Sequence, residues 1–135
     1  VNTLSTQSPE REKVDPAVLG WLLKARDDKQ GTVDRARAAG VKVAMGTDAG
    51  FLVCHGQNAA EIEEFVKIGF TPMEAIVATT RTGAECMDMT DDIGTVEAGK
   101  YADLVLVDGD PLADISILQD ETKIAQVFKG GKAFK

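Results

Sequence analysis

One aspartate, Asp48, stands where a carboxylate could take part in chemistry. It follows the apolar run 41–46 and lies between Gly46 and Gly50, which allow the backbone to turn sharply beside it. In a parallel α/β fold, functional groups gather at the carboxyl ends of the strands, because the loops that leave those ends form the open face. A carboxylate there can bind a metal ion or move a proton. The alternative interpretation is that Asp48 caps the turn that follows it, which is a common use of aspartate.

The single histidine, His55, lies seven residues after Asp48. Its place in the same expected loop favours contact with a bound molecule, although a lone histidine is more often a surface or hydrogen-bonded residue. Cys54 beside it could be a soft metal ligand. A zinc site, however, needs three or four converging ligands, and this loop supplies few. We therefore interpret Cys54 as a small buried apolar residue.

A phosphate-binding loop is suggested by residues 94–100, which have the spacing GxxxxGK. The next residue is Tyr101, where a Ser or Thr hydroxyl is needed to reach Mg²⁺. A strand is also predicted to follow, whereas phosphate binding uses the N-terminus of a helix. The glycines of this segment are therefore interpreted as turn residues between strands.

The composition disfavours several classes of partner. The net charge of −7 and the pI near 4.7 argue against nucleic acid and anionic membranes, because both need a basic face. No apolar run approaches the roughly 20 residues of a membrane span, and residues 1–11 lack the order of a signal peptide. The two cysteines, Cys54 and Cys86, form no CxxC motif, so we expect free thiols in a cytoplasmic protein.

Helix and turn signals predict an α/β order for the first two-thirds of the chain. The predicted elements are a helix over 15–31 ended by Gly31, a helix over 32–39 capped by Gly40, a parallel strand over 41–46, a helix carrying Ile62 and Phe65, a helix that begins at the capping box Thr71-Pro72-Met73-Glu74, and a turn or helix over 82–87. The capping box is a strong signal because side chains satisfy two backbone groups reciprocally.

From Asp91 onward the pattern changes to short apolar runs that are typical of strands. Strands are predicted over 93–96, 103–108, 124–129 and 132–135, the last two joined by the two-residue hairpin turn Gly130-Gly131. The sequence therefore predicts two parts: an α/β part over 1–90 and a β-sheet part over 91–135.

Four segments, in this order and spacing, resemble the amidohydrolase superfamily. They are VAMGTDAG at 43–50, HGQN at 55–58, FTPMEAI at 70–76 and IGTVEAGKYADLVLVDGDPL at 93–112. The first three are similar to the last barrel strand and the helices after it, and the fourth is similar to the segment that returns to the accessory β domain. Among the branches of the superfamily, the chain is most similar to the Xaa-Pro dipeptidase and imidazolonepropionase-like group.

This resemblance implies a fold and an activity. The fold would be the C-terminal part of a (β/α)₈ TIM barrel, followed by strands of a small β-sandwich accessory domain. The activity would be hydrolysis of amide or peptide C–N bonds in small-molecule or dipeptide-like substrates, with one or two divalent metal ions, usually zinc. Asp48 would bind the metal and transfer the proton during catalysis, and His55 would contact the substrate.

The chain departs from the family pattern in its metal ligands. The family also uses a His-x-His pair, a lysine or glutamate in mid-barrel and two later histidines, whereas this sequence has one histidine. A chain of 135 residues supplies about one or two of eight βα units, since a whole barrel needs about 200–250 residues. We therefore expect the isolated chain to be inactive and to hold no metal tightly. The alternative is a non-catalytic structural or interaction module that covers its open edges by forming a homo-oligomer.

Overall fold

The computed structural model describes residues 15–18, 20, 24, 29–49 and 55–135. In order, the elements are α1 (Lys29–Ala38), α2 (Ala60–Lys67), α3 (Pro72–Thr79), α4 (Arg81–Cys86), β1 (Leu104–Val107), a 3₁₀ helix (Ile115–Gln119), β2 (Ile124–Lys129) and β3 (Lys132–Ala133). Residues 16–18, 20 and 24 also have helical backbone. Among the described residues, no helix is long and apolar enough to cross a membrane.

Helix α1 corrects one predicted boundary and confirms another. Gly31 lies inside the helix and does not end it, because one interior glycine costs only about 1 kcal/mol relative to alanine. The helix ends at the predicted cap: Gly40 has a φ of +71° and donates its N–H to the carbonyl of Arg37 at 2.9 Å. Val41 donates to the carbonyl of Ala36 at 2.9 Å, so two terminal carbonyls are satisfied.

Helix α3 begins at the predicted capping box. The hydroxyl of Thr71 accepts the backbone N–H of Glu74 at 3.2 Å, and the carboxylate of Glu74 accepts the backbone N–H of Thr71 at 2.8 Å. Pro72 occupies the first helical position, where its missing N–H has no cost. This start is encoded entirely by local residues, which is why the sequence predicts it.

The core lies where α2 and α3 meet the 3₁₀ helix. Ile62 and Phe65 of α2 and Ala75 of α3 are buried together with Phe70 between the two helices and Ile115. The ring centres of Phe65 and Phe70 lie 4.9 Å apart in a tilted arrangement. Aromatic pairs prefer such a tilted contact to a face-to-face stack. The 3₁₀ helix was not predicted, and its Ile115 joins residues beyond position 91 to the core of the helical part. The division of the chain at residue 90 stays a prediction.

The predicted parallel strand over 41–46 is not formed. Residues 41–49 have neither helical nor strand hydrogen bonding, because a strand exists only with a neighbouring strand, and no described residue provides one. The segment is instead attached to α3, where the N–H of Met45 donates to the carbonyl of Ala78 at 3.1 Å. Val43 and Met45 pack against the core from this position.

The C-terminal residues form a three-stranded antiparallel sheet in the order β1-β2-β3. Leu104 pairs with Phe128 and Val105 pairs with Val127, with an irregularity after Leu106. Gly130 and Gly131 have φ values of +55° and +78°, as the predicted two-residue hairpin requires. Strand β3 covers only Lys132–Ala133, so the strand predicted over 132–135 is shortened. These three strands are the only sheet in the described part of the chain.

The strand predicted over 93–96 is wrong, because residues 93–95 are bends and residue 96 has no strand hydrogen bonding. The interpretation of its glycines is confirmed: Gly94 and Gly99 have φ values of +95° and +93°. The ammonium of Lys100 is held by the hydroxyl of Thr95 at 2.5 Å and the carboxylate of Glu97 at 3.2 Å. The lysine of the GxxxxGK spacing is therefore engaged within its own turn.

Replacement of Gly94 tests this turn. A Cβ at Gly94 would lie 2.6 Å from the Cβ of Ala84 and 3.2 Å from the Cα of Arg81. Gly94→Ala should therefore lower the free energy of unfolding by about 2–4 kcal/mol, through both backbone strain and overpacking. The measurement is urea denaturation followed by circular dichroism.

Gly99→Ala is the matched control, because Gly99 has nearly the same φ and no atom within 4 Å of the added Cβ. It should cost about 1 kcal/mol, from backbone strain alone. Equal losses in the two variants would contradict the close contact between Gly94 and α4.

Candidate functional site

Asp48 lies on the exposed surface at the end of the segment that α3 holds. Its backbone has a φ of +49°, a left-handed conformation that is uncommon outside glycine and is tolerated best by Asp and Asn. The carboxylate forms no hydrogen bond or ion pair with any residue that the structure describes. The side chain is therefore open to water and to a bound molecule.

Two contacts with α3 position the backbone that leads to Asp48. The first is the hydrogen bond from the N–H of Met45 to the carbonyl of Ala78. The second is made by the hydroxyl of Thr79, which donates to the carbonyl of Ala75 at 2.9 Å and also lies 3.3 Å from the sulfur of Met45. A hydroxyl has one proton and sulfur is a weak acceptor, so the bond to Ala75 dominates and the sulfur packs against the oxygen.

His55 lies in an exposed turn beside Gly56, which has a φ of +91°. No hydrogen bond or ion pair joins His55 to Asp48 in the part of the chain that the structure describes. The intervening residues 50–54, which include Cys54, lie outside the described residues. Cys86 is a free, exposed thiol, in agreement with the sequence prediction for that cysteine.

The described residues do not form a metal centre. Among them, no three His, Cys, Asp or Glu side chains are arranged so that they could hold a metal ion together. A zinc site needs three or four protein ligands, and Asp48 offers one carboxylate. The donor set within residues 15–18, 20, 24, 29–49 and 55–135 therefore does not fit a complete metal site.

A groove that the sequence did not predict is lined in part by residues 42–43 of the segment that leads to Asp48. It has a volume of about 260 Å³ and lies between Lys42 and Val43 on one side and Phe70, Met73 and Val77 on the other. Neither Asp48 nor His55 lines it. Its walls are apolar, so it could bind an apolar surface but offers little to a polar reaction.

Charged groups brace the start of α3 beside this groove. The guanidinium of Arg37 donates to the carbonyl of Gly69 at 2.7 Å and to the carboxylate of Glu74 at 3.2 Å, and lies 4.3 Å from the centre of the Phe70 ring. The pKa of Glu74 is held below its ordinary value, chiefly by the hydrogen bond from the backbone of Thr71 and in smaller part by Arg37. Arg37 thus connects α1 to α3.

A second ion pair connects Lys42, which also lines the groove, to α4. The ammonium of Lys42 lies 2.7 Å from the carboxylate of Glu85. This hydrogen bond is the main reason that the pKa of Glu85 is lowered from its ordinary value. Lys42 is largely exposed, so the pair orients the segment more than it stabilises the fold.

Comparison with known proteins establishes the family. Residues 23–134 match the model of the amidohydrolase family, and the chain belongs to this family. It is 35% identical over 99 residues to ochratoxinase of Aspergillus niger. This match covers 72% of the present chain and 20% of ochratoxinase. It is also 35% identical over 89 residues to imidazolonepropionase of Pyrobaculum arsenaticum. This match covers 64% of the present chain and 22% of imidazolonepropionase.

A solved structure gives the same relationship at the level of the fold. The chain is similar to a Xaa-Pro dipeptidase crystallised with methionine in its active site, with a TM-score of 0.70 and 36% identity. The match covers 78% of this chain and 25% of the dipeptidase. The fold is therefore a mixed α/β part of the amidohydrolase fold. The chain spans about a fifth of the length of the curated relatives given above.

The lowered pKa of Glu74 predicts a pH dependence of stability. A carboxyl group whose pKa is lower in the folded state contributes stability above its unfolded pKa, ordinarily near 4.5, and this contribution disappears as the pH falls through the folded pKa. Glu74→Gln should therefore be less stable than the unaltered chain at pH 7, and the difference should shrink as the pH falls below about 4.5. Urea titrations at a series of pH values measure this difference.

Glu121→Gln serves as the control, because the side chain of Glu121 is exposed and forms no hydrogen bond or ion pair within the described residues. Its difference from the unaltered chain should stay near zero across the same pH range. A Glu74→Gln difference that does not depend on pH would mean that the carboxylate does not support the start of α3.

Proposed function

We propose that this chain is the part of a metal-dependent amidohydrolase that carries its catalytic aspartate, Asp48. The observation that carries the proposal is the family match over residues 23–134, combined with the position of Asp48 directly after the segment that resembles the last strand of the family barrel. The similarity to a Xaa-Pro dipeptidase supports a peptide-like C–N bond as the target.

Asp48 has the properties that such a reaction needs from a carboxylate. It is exposed, so water and substrate can reach it, and its backbone is anchored to α3 through Met45. In the proposed reaction, the carboxylate accepts a proton from the water whose oxygen bonds to the amide carbon. The C–N bond then breaks, and the same proton passes to the leaving nitrogen, which gives a carboxylic acid and an amine.

A divalent metal, which we propose to be one or two zinc ions, would make that water more acidic and polarise the amide carbonyl. The described residues do not form a site for this metal, so the remaining ligands must come from outside them. We therefore propose that Asp48 acts only within the intact enzyme, meaning the complete amidohydrolase that carries this chain.

For the substrate we propose a small dipeptide-like amide, and we propose that His55 contacts it. Two observations support a role for His55: its side chain is exposed, and it belongs to the segment that follows Asp48. The seven-residue separation is short enough for both side chains to reach one bound molecule.

The isolated chain of 135 residues is expected to be inactive. It should show no hydrolysis of Xaa-Pro dipeptides or cyclic amides that depends on zinc, because one carboxylate cannot hold the ion in a defined geometry. Calorimetry with zinc chloride should show only weak binding, in the range expected of scattered surface carboxylates. Hydrolysis that is lost on chelation and restored by zinc would contradict this expectation.

In the intact enzyme, replacement of Asp48 is expected to slow the reaction. Asp48→Asn should lower kcat/KM for the substrate by roughly 10²–10⁴-fold, because the amide cannot accept the proton. Asparagine also tolerates a positive φ, so the backbone should keep its conformation. Steady-state kinetics, with circular dichroism to verify folding, measure the effect.

Asp88→Asn is a closely matched control, because Asp88 is also exposed and has a φ of +57°. It lies after α4, outside the segment that carries Asp48, and its substitution should leave kcat/KM unchanged. Full activity of the Asp48→Asn enzyme, or an equal loss in both variants, would show that Asp48 has no specific role in the reaction.

A further inference from the structure

The nearest attachment of Asp48 to the helices lies three residues before it, at Met45. Within the part of the chain that the structure describes, Gly46, Thr47 and Asp48 form no hydrogen bond. The N–H of Met45 donates to the carbonyl of Ala78 at 3.1 Å, which belongs to the last turn of α3. The last four carbonyls of a helix have no partner inside it, so this carbonyl is available to a neighbouring segment.

The backbone conformation of Asp48 needs such an attachment. Its φ of +49° is unfavourable for a residue with a side chain, and a conformation of this kind persists only where the surrounding structure holds it. If the segment were released from α3, Asp48 could relax to a negative φ. The direction of its carboxylate would then change.

The side chain of Met45 provides a second attachment to the same helix. It packs against the core, and its sulfur lies 3.3 Å from the hydroxyl of Thr79. That hydroxyl is itself fixed, because it donates to the carbonyl of Ala75 at 2.9 Å. The backbone and the side chain of Met45 are thus held by two successive residues of α3, Ala78 and Thr79.

This attachment is separate from the apolar groove, because neither Met45 nor Thr79 lines it. The contact therefore lies within this chain, whatever packs against the groove. We propose that Met45 and Thr79 are positioning residues for Asp48, which fix the direction of its carboxylate through the three residues that connect them. The proposal rests on the catalytic role proposed above for Asp48 and adds what orients that group.

The primary experiment measures the steady-state kinetics of the intact enzyme. Met45→Ala should lower kcat by roughly 10–10²-fold and change KM much less, because a displaced catalytic group slows the reaction more than it weakens substrate binding. Met45→Leu keeps a side chain of similar volume and should retain kcat within about threefold.

Val43→Ala is the matched control for loss of stability. Val43 belongs to the same segment and packs against the same core, but the attachment at Met45 lies between it and Asp48. Both alanine variants should lower the Tm of the enzyme, whereas only Met45→Ala should lower kcat. An equal loss of kcat in the two variants would overturn the proposal.

Thr79→Val tests the contact without creating a cavity. Apolar contacts are optimal at about 3.5–4.0 Å, so a methyl group in place of the hydroxyl should push the sulfur of Met45 outward from its present 3.3 Å. The expected result is a loss of kcat of roughly threefold or more. Thr79→Ser keeps the hydroxyl and should keep kcat.

A double-mutant cycle separates this proposal from the proposed function. If Met45 acts through Asp48, then Met45→Ala should cause no further loss of kcat in the Asp48→Asn enzyme, because no carboxylate is left to orient. The same loss in both backgrounds would overturn the positioning role. An impaired Asp48→Asn enzyme beside fully active Met45→Ala and Thr79→Val enzymes would overturn that role alone. Full activity of Asp48→Asn would overturn the proposed function itself.

Discussion

The hydrogen bond from the N–H of Met45 to the carbonyl of Ala78 connects the segment that carries Asp48 to the helical core. Helix α3 can accept this segment at close range because its inner face is built from small residues: Ala75 is 0% and Ala78 is 3% exposed. A larger side chain at either position would displace Met45, and with it the turn at Asp48. The position of the candidate catalytic group thus depends on small side chains in a helix to which it does not belong.

The elements that the sequence predicted correctly are those encoded by neighbouring residues. Gly40 ends α1 with a positive φ, Thr71 and Glu74 start α3 with a reciprocal cap, and Gly130-Gly131 form the hairpin turn. In each case a side chain or a glycine satisfies backbone groups within a few positions, so the pattern can be recognised from the sequence without knowledge of the fold.

The errors occur where the outcome depends on distant residues. The segment 41–46 has the composition of a buried strand, but a strand needs a neighbouring strand, and the described residues offer none. Residues 93–96 have a composition that suggests a strand, yet Gly94 has a φ of +95° and lies against Ala84 of α4, and the segment bends there. The 3₁₀ helix places Ile115 in a core formed by α2 and α3. No local sequence pattern predicts this contact between Ile115 and the two helices.

For the candidate site, the sequence supplied Asp48 through its glycine neighbours and through family resemblance. The structure adds that Asp48 is exposed and has a left-handed backbone, and that the described residues contain no group of three potential metal ligands. The groove could not be predicted from the sequence, because its walls come from segments that are about 30 residues apart in the chain. The spacing of Met73 and Val77, which lie on one face of α3, with Phe70 just before the helix, was the available signal.

The central claim is that Asp48 belongs to the metal centre of an amidohydrolase. The most direct measurement is a crystal structure of the intact enzyme grown with zinc, with anomalous data collected at the zinc edge. The account predicts an anomalous peak with a carboxylate oxygen of Asp48 at roughly 2.0–2.2 Å, the usual zinc–oxygen distance. A fully coordinated zinc ion that Asp48 neither binds nor reaches by a hydrogen bond would contradict it.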